Sequence, residues 1–353
     1  AQEILLDLVQ CSTKKFEHIV ASLYVSGEIS SELETEGIVV ESLSSSKWLS
    51  FFGRRKFNAL LRKHKPDVIN LHLEGATLLG LWWHNKYSDI KLVVTIHALR
   101  QQLPGWFYPL FSKLVNNSDR VVVEDKIAFK QVRETGFDQD KIIHIPIGTN
   151  YHKKIKKSGN AFAGIRKEFG IPADAPILLN IARMHPAKGQ SELLNVFPEI
   201  LKNWPECRLV IVGYGKEDLN LKTLSRDLGV QGNVIFPGLR RDLENFYIDA
   251  NCFVMTALDE GMGVVIYQAM AFGVPVIAYE AGSVSEVVRH EKTGYLLPVG
   301  DRGELIRRIE QTLSLKQGDI DSICHFAQGL ITNEFSSGVM AKKYESTYEK
   351  VLQ

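Results

Sequence analysis

The stretch that decides the fold is Cys252–Tyr279, C-F-V-M-T-A-L-D-E-G-M-G-V-V-I-Y-Q-A-M-A-F-G-V-P-V-I-A-Y. It opens on a short apolar run and passes through a loop holding Glu260. It turns at Gly261 and Gly263, continues as an apolar helical pattern, and breaks at G-V-P before a second run, V-I-A-Y. Strand, helix and strand in succession make a parallel crossover unit. In open parallel sheets, ligands bind beyond the carboxyl ends of the strands, so the loop between Cys252–Met255 and the helix is where chemistry is expected. Glycine lets the backbone approach a ligand closely, and a helix start offers free N–H groups and a positive dipole end to an anion such as a diphosphate.

The same alternation extends outward in both directions. Strands are expected near 17–25, 37–41, 67–72, 91–96, 119–123 and 141–145. A second set is expected near 176–182, 207–212, 233–236, 252–256, 274–279 and 294–297, with helical patterns between. Runs such as L-V-V-T-I and R-L-V-I-V suit strands covered on both faces. Residues 151–160, Y-H-K-K-I-K-K-S-G-N, have linker composition. The expected architecture is therefore α/β: two doubly wound domains, about 1–150 and 160–335. Apolar residues at helical spacing in 336–353 predict a terminal helix packing back toward the first domain.

The chain has 353 residues, more than one core comfortably fills. Its net charge of +1 argues against nucleic acid as a partner. No apolar run reaches the roughly 20 residues that span a bilayer. The four cysteines are far apart, without metal-ligand or redox spacing, and read as buried or half-buried residues of a reducing, cytoplasmic compartment.

A second informative segment is I-A-R-M-H-P-A-K-G-Q-S-E-L-L, 181–194. Arg183 follows a strand, and Lys188 is expected to open the next helix. Two cations so spaced can neutralise a diphosphate from two sides. The plainer alternative pairs them with Glu192 or Glu199 at the surface. Gly213 and Gly215 follow the next strand, and Leu239 and Arg240 follow F-P-G.

The ordered series R…K-G, V-G-x-G, F-P-G and E-G-x-G resembles the retaining glycosyltransferases of family 4, whose two Rossmann-like domains face each other in the GT-B architecture. In that family a glutamate is followed, after seven residues, by a second. Here the first is Glu260, while Gln268 stands in the second place. The resemblance implies a nucleotide-sugar donor, UDP- or GDP-linked, held by Arg183, Lys188, Glu260, Gln268, Gly261, Met262, Gly263, Val264, Val265, Gly213, Leu239 and Arg240. It implies that His97, closing V-V-T-I-H, reaches the donor sugar. It implies a sugar, lipid-linked or small-molecule acceptor and no further cofactor, with the leaving diphosphate taking the acceptor's proton. No aspartate cluster points to a metal. Glu124, after R-V-V-V, is balanced between a helix-start charge and a site residue. Family members begin with a strand and a glycine-rich loop before the helix that residues 1–10 resemble. Roughly 15–20 further residues are thus expected upstream. Two other readings stay open: an epimerase or phosphorylase on the same fold, or a non-catalytic protein binding sugar nucleotides or membranes.

Residues 47–65, K-W-L-S-F-F-G-R-R-K-F-N-A-L-L-R-K-H-K, carry seven Lys/Arg and no acid. Phe57, Leu60 and Leu61 fit an ordinary crossover helix. Trp48, Phe51, Phe52, Arg54, Arg55 and Lys56 fit contact with an anionic membrane surface, at the inner face of the membrane.

Overall fold

In a computed structural model, the structure describes residues 2–23, 28–43, 51–84, 89–97, 107–151, 162–261 and 263–353. The chain divides into two compact units, residues 1–148 with 336–353, and residues 149–335. It passes between them twice, and at these crossings the Thr149 N–H donates to the Phe335 carbonyl at 2.9 Å.

Among the described residues the first unit contains six strands, each paired in parallel: β1 (Ile19–Ser22), β2 (Val39–Ser42), β3 (Val68–His72), β4 (Lys91–Ile96), β5 (Arg120–Val123) and β6 (Ile142–His144). β1 pairs with β2, and β3 to β6 form a separate sheet in sequence order. A cavity of about 930 Å³ lies in this unit, with Ile19, Val20 and Ala21 of β1 and Val68 to His72 of β3 in its wall. Val93 and Val122, on β4 and β5, are fully buried because helices cover both sheet faces. One covering helix is Ser337–Leu352, the last of the chain. Its Met340, Tyr344, Tyr348 and Val351 share a core with Leu8, Val93, Val122 and Ile145. Ser336 caps it by accepting from the Val339 N–H.

Among its described residues the second unit has a six-stranded parallel sheet. Its strands are β7 (Ile177–Ile181), β8 (Arg208–Val212), β9 (Val234–Gly238), β10 (Cys252–Met255), β11 (Val276–Tyr279) and β12 (Tyr295–Leu297), in the spatial order β12-β11-β10-β7-β8-β9. β7 and β10 are neighbours, but the chain leaves them toward opposite edges of the sheet. The strand order reverses there, which opens a crevice at their carboxyl ends. Every residue of β7, β10 and β11 is buried, as strands clothed on both faces must be. Cys207, Cys252 and Cys324 are buried thiols and Cys11 is half-buried.

Candidate donor site and imidazole cluster

The loops after β7 and β10 are joined by backbone bonds: the Leu258 and Asp259 N–H groups both donate to the Ala187 carbonyl. This brings Lys188 and Glu260 together. Lys188 Nζ lies 2.9 Å from Glu260 Oε2, with both side chains largely shielded from solvent. Lys188 also donates to the Asp259 carbonyl, and Glu260 accepts from the Gly261 N–H. Lys188 closes a 3-10 turn, Pro186–Lys188, rather than opening the following helix, which runs Gln190–Asn203 behind Gly189. The left-handed turn at Gly189 separates the two.

Arg183 is exposed and has no carboxylate partner among the described residues. Glu192 and Glu199, its surface alternatives, are engaged with Arg302 and Lys202. His185 caps the 3-10 turn by accepting from the Ala187 N–H. Its pKa is lowered by desolvation first, and then by the positive charges of Lys216, Arg183 and Lys188. Three cations thus raise the local potential around one imidazole, and an anion placed there would relieve it. Lys216, in the β8 loop, was not singled out in the sequence, because one lysine after a G-x-G has no distinguishing pattern.

The helix Val264–Ala271 begins beside this cluster. Gly263 takes φ +54° at its N-cap, and no side chain caps the helix. Its first N–H groups therefore lack the partner that a Ser or Asp would supply. Gly261 is exposed at the same loop, and Met262 lies outside the described residues. Val264 and Val265 form the first turn. Gln268 is buried, and its Oε1 accepts from the Tyr247 hydroxyl at 3.0 Å. That hydroxyl also lies 3.1 Å from the Val265 carbonyl. Gly213 sits at the end of β8, its N–H bonded to the Gly238 carbonyl. Leu239 is 78% exposed. Arg240 is clamped by Glu168 and Asp242 and lies over the Phe246 ring. The clamp gives its guanidinium a structural task.

His97 belongs to the first unit, where it meets His72 and Glu124. Its Nδ1 lies 2.7 Å from Glu124 Oε2, and its Nε2 lies 3.1 Å from His72 Nδ1. Glu124 is 1% exposed. The helix-start role falls to its neighbour Asp125, which accepts from the Ala128 N–H and caps Lys126–Glu134. His72 was not singled out in the sequence, although it ends β3 just as His97 follows β4. Of the basic aromatic segment, Trp48 and the side chains of Phe51, Phe52 and Arg54 lie outside the described residues. Arg55 and Lys56 are exposed, and Phe57 and Leu61 pack with Leu43 and Leu79. Among the described residues no helix is long and apolar enough to cross a membrane. No group of three or more His, Cys, Asp or Glu among them could hold a metal ion.

Residues 162–322 match the family model for glycosyl transferases group 1, and residues 4–153 match that for glycosyltransferase family 4. The lipopolysaccharide core biosynthesis glycosyltransferase LpsE of Rhizobium meliloti is 29% identical over 260 residues, 73% of this chain and 69% of LpsE. The putative glycosyltransferase EpsD of Bacillus subtilis is 25% identical over 268 residues, 73% of this chain and 70% of EpsD. In fold, HepE of Anabaena, solved in complex with UDP, is similar with a TM-score of 0.83 at 21% identity, covering 99% of this chain and 96% of HepE. With two family models meeting end to end along the sequence and two Rossmann-like parallel-sheet units in the fold, the chain belongs to the family 4-like, group 1 glycosyltransferases of GT-B fold.

Proposed function

We propose that this protein transfers a sugar from a nucleoside-diphosphate sugar, UDP- or GDP-linked, to a hydroxyl of a glycan, lipid-linked or small-molecule acceptor, with retention at the anomeric carbon and without a metal. The observation that carries this reading is the cationic cluster of Arg183, Lys188 and Lys216 at the switch point, beside the uncapped helix start after Gly263. Such fixed positive groups are worth most where negative charge develops, here on the departing diphosphate. They take the part that a divalent ion plays elsewhere. Glu260 holds Lys188. When a diphosphate arrives, Lys188 turns to it, and the freed carboxylate of Glu260 accepts hydrogen bonds from sugar hydroxyls. Related proteins support the donor class: HepE was solved with UDP-glucose, and a mycobacterial relative is named as GDP-mannose-dependent.

Incubation with UDP- and GDP-sugars and a panel of acceptors, with and without EDTA, tests this. The expected result is nucleotide release coupled to a product of unchanged anomeric configuration, indifferent to EDTA. An inverted product, or activity abolished by EDTA and restored by magnesium, overturns the mechanism.

A further inference from the structure

Tyr214 is 69% exposed, yet the backbone around it is held fast. The Gly213 N–H donates to the Gly238 carbonyl at 2.9 Å, and the Met184 N–H donates to the Tyr214 carbonyl at 3.1 Å. The Glu217 N–H returns to the Met184 carbonyl. A Cβ on Gly213 would lie 2.0 Å from the Ala182 carbonyl oxygen, and one on Gly215 would lie 2.1 Å from that of Met184. Both glycines are therefore required for the loop to lie against residues 182–184. Exposure of a ring means little by itself; what matters is the place at which this one is held.

β7 and β8 pair Ile181 with Val212, and the bond from Met184 to Tyr214 carries that ladder on past the strands, so Tyr214 comes opposite Arg183. β8 and β9 pair Val212 with Gly238, so the exposed Leu239 follows on the next strand. Neighbouring strands lie about 5 Å apart. The crest of the sheet thus runs Leu239, Tyr214, Arg183, and then Lys188 with Glu260. In chemical terms that is an aliphatic group, an aromatic ring, a guanidinium and an ion pair.

We infer that Tyr214 stacks on the nucleobase of the donor, its ring fixing the base while Arg183 holds the diphosphate. The inference rests on the glycosyl-transfer reading and deepens it. A nucleotide sugar has three parts of different chemistry. Its sugar offers hydroxyls, which need an acceptor, and Glu260 supplies one on the β10 side. Its diphosphate needs cations, and Arg183, Lys188 and Lys216 gather around His185. Its base is flat with apolar faces, which neither a carboxylate nor an ammonium can cover. The exposed apolar side chains at the ends of β8 and β9 are those of Tyr214 and Leu239. Because the loop is already stitched to residues 182–184, stacking requires little further ordering of the backbone. An aromatic ring accepts any base, since every base has a π-face, so Tyr214 serves UDP and GDP alike. Choosing between them needs hydrogen bonds to the base edge, which a ring face does not make.

Calorimetry with UDP, GDP and methyl diphosphate, which carries the phosphates without base or ribose, tests this. Tyr214→Ala should bind UDP and GDP about tenfold or more weakly, the worth of one base on an aromatic ring. Its affinity for methyl diphosphate should stay within about twofold. Tyr214→Phe keeps the ring and should bind all three as the wild type does. The melting temperature of either variant should stay within about 1 °C of wild type, because the side chain is exposed. The uracil ring protons of bound UDP should shift upfield with wild type and Tyr214→Phe, and lose that shift with Tyr214→Ala. Equal losses for UDP and methyl diphosphate would make Tyr214 a prop for the phosphate loop and overturn the inference. So would UDP and GDP affinities untouched by Tyr214→Ala, or wild-type protein that binds them no more tightly than methyl diphosphate. If wild-type protein binds UDP or GDP but transfers sugar from neither of their sugar nucleotides, the transferase reading fails while the base contact stands.

Discussion

Lys188 Nζ lies 2.9 Å from Glu260 Oε2, an ion pair spanning 72 residues of sequence over the point where the strand order reverses. The pair is mutually neutralising, and its two members are predicted to part when a donor binds. Glu260→Gln should therefore separate binding from turnover. Freed from its carboxylate, Lys188 should bind UDP or GDP at least as tightly as in the wild type, while sugar transfer falls by roughly 100-fold or more. Lys188→Met should weaken nucleoside diphosphate binding about tenfold or more, the worth of a charged hydrogen bond. Calorimetry with UDP and GDP beside steady-state rates checks both. Weaker diphosphate binding by Glu260→Gln counts against the exchange of partners.

Arg183 tests the site from its open side. It is exposed and makes no ion pair with the described residues, so its removal should leave the melting temperature within about 1 °C of wild type. If it stabilises charge on the leaving diphosphate, Arg183→Ala should lower kcat by about 100- to 1,000-fold. A folded Arg183→Ala variant with near-normal turnover removes Arg183 from the mechanism.

Gln268 is the departure from the family pattern, and the structure gives its side chain a partner in Tyr247. A glutamate there would still accept from the Tyr247 hydroxyl. It would add a charge-assisted bond to any ribose hydroxyl within reach, worth roughly 1 kcal/mol more than the amide's. Gln268→Glu should thus bind the nucleotide about fivefold tighter by calorimetry. Unchanged affinity means that the side chain serves Tyr247 alone.

The strands were legible because each is a short β-branched run between polar breaks, and burial on both faces leaves little other use for such runs. The charged residues of the site were legible for a related reason: Arg183 and Glu260 follow strands, where parallel sheets put function. Partnerships were harder to read. That Glu260 takes Lys188, or that Glu192 takes Arg302, depends on which strands become neighbours, and spacing along the chain does not carry this. The imidazole cluster is an intermediate case. N-L-H, T-I-H and V-V-E each end a predicted strand, and the three strands are sequence neighbours. Their adjacency followed from parallel pairing in sequence order, but the bond from Glu124 through His97 to His72 needed the register.

The buried imidazole also has a signature in stability. The His72 pKa falls to about 3 on folding, from an ordinary 6.5, through burial first and His97 second. Between those values the unfolded chain binds a proton that the folded one refuses. Stability contributed by neutral His72 is therefore full above about pH 6.5 and is lost as pH falls toward 3. His72→Gln removes this proton linkage. Its melting temperature, compared with wild type, should hold a constant difference from pH 8 to about pH 7 and then improve down to pH 5. A constant difference across that range means that His72 is free to titrate in the folded protein.

The basic segment offers a last test, because its described half and its aromatic surplus point different ways. Phe57 and Leu61 are buried against Leu43 and Leu79, the inward stripe of a crossover helix, and Arg55 and Lys56 are exposed. Packing accounts for the stripe but not for so many cations without an acid in 47–65. Each basic residue near an anionic bilayer contributes about 1 kcal/mol, an effect confined to about a Debye length. Reversible binding should therefore appear with phosphatidylserine or phosphatidylglycerol vesicles at low salt, vanish with phosphatidylcholine, and weaken by 0.5 M salt. Arg55→Glu with Lys56→Glu should abolish it while leaving the melting temperature and transfer to a water-soluble acceptor unchanged, since neither side chain contributes to the buried stripe. Co-sedimentation reads the first effect, and a soluble-acceptor assay the second. If the wild type stays in the supernatant with anionic vesicles at low salt, the charges serve solvation alone.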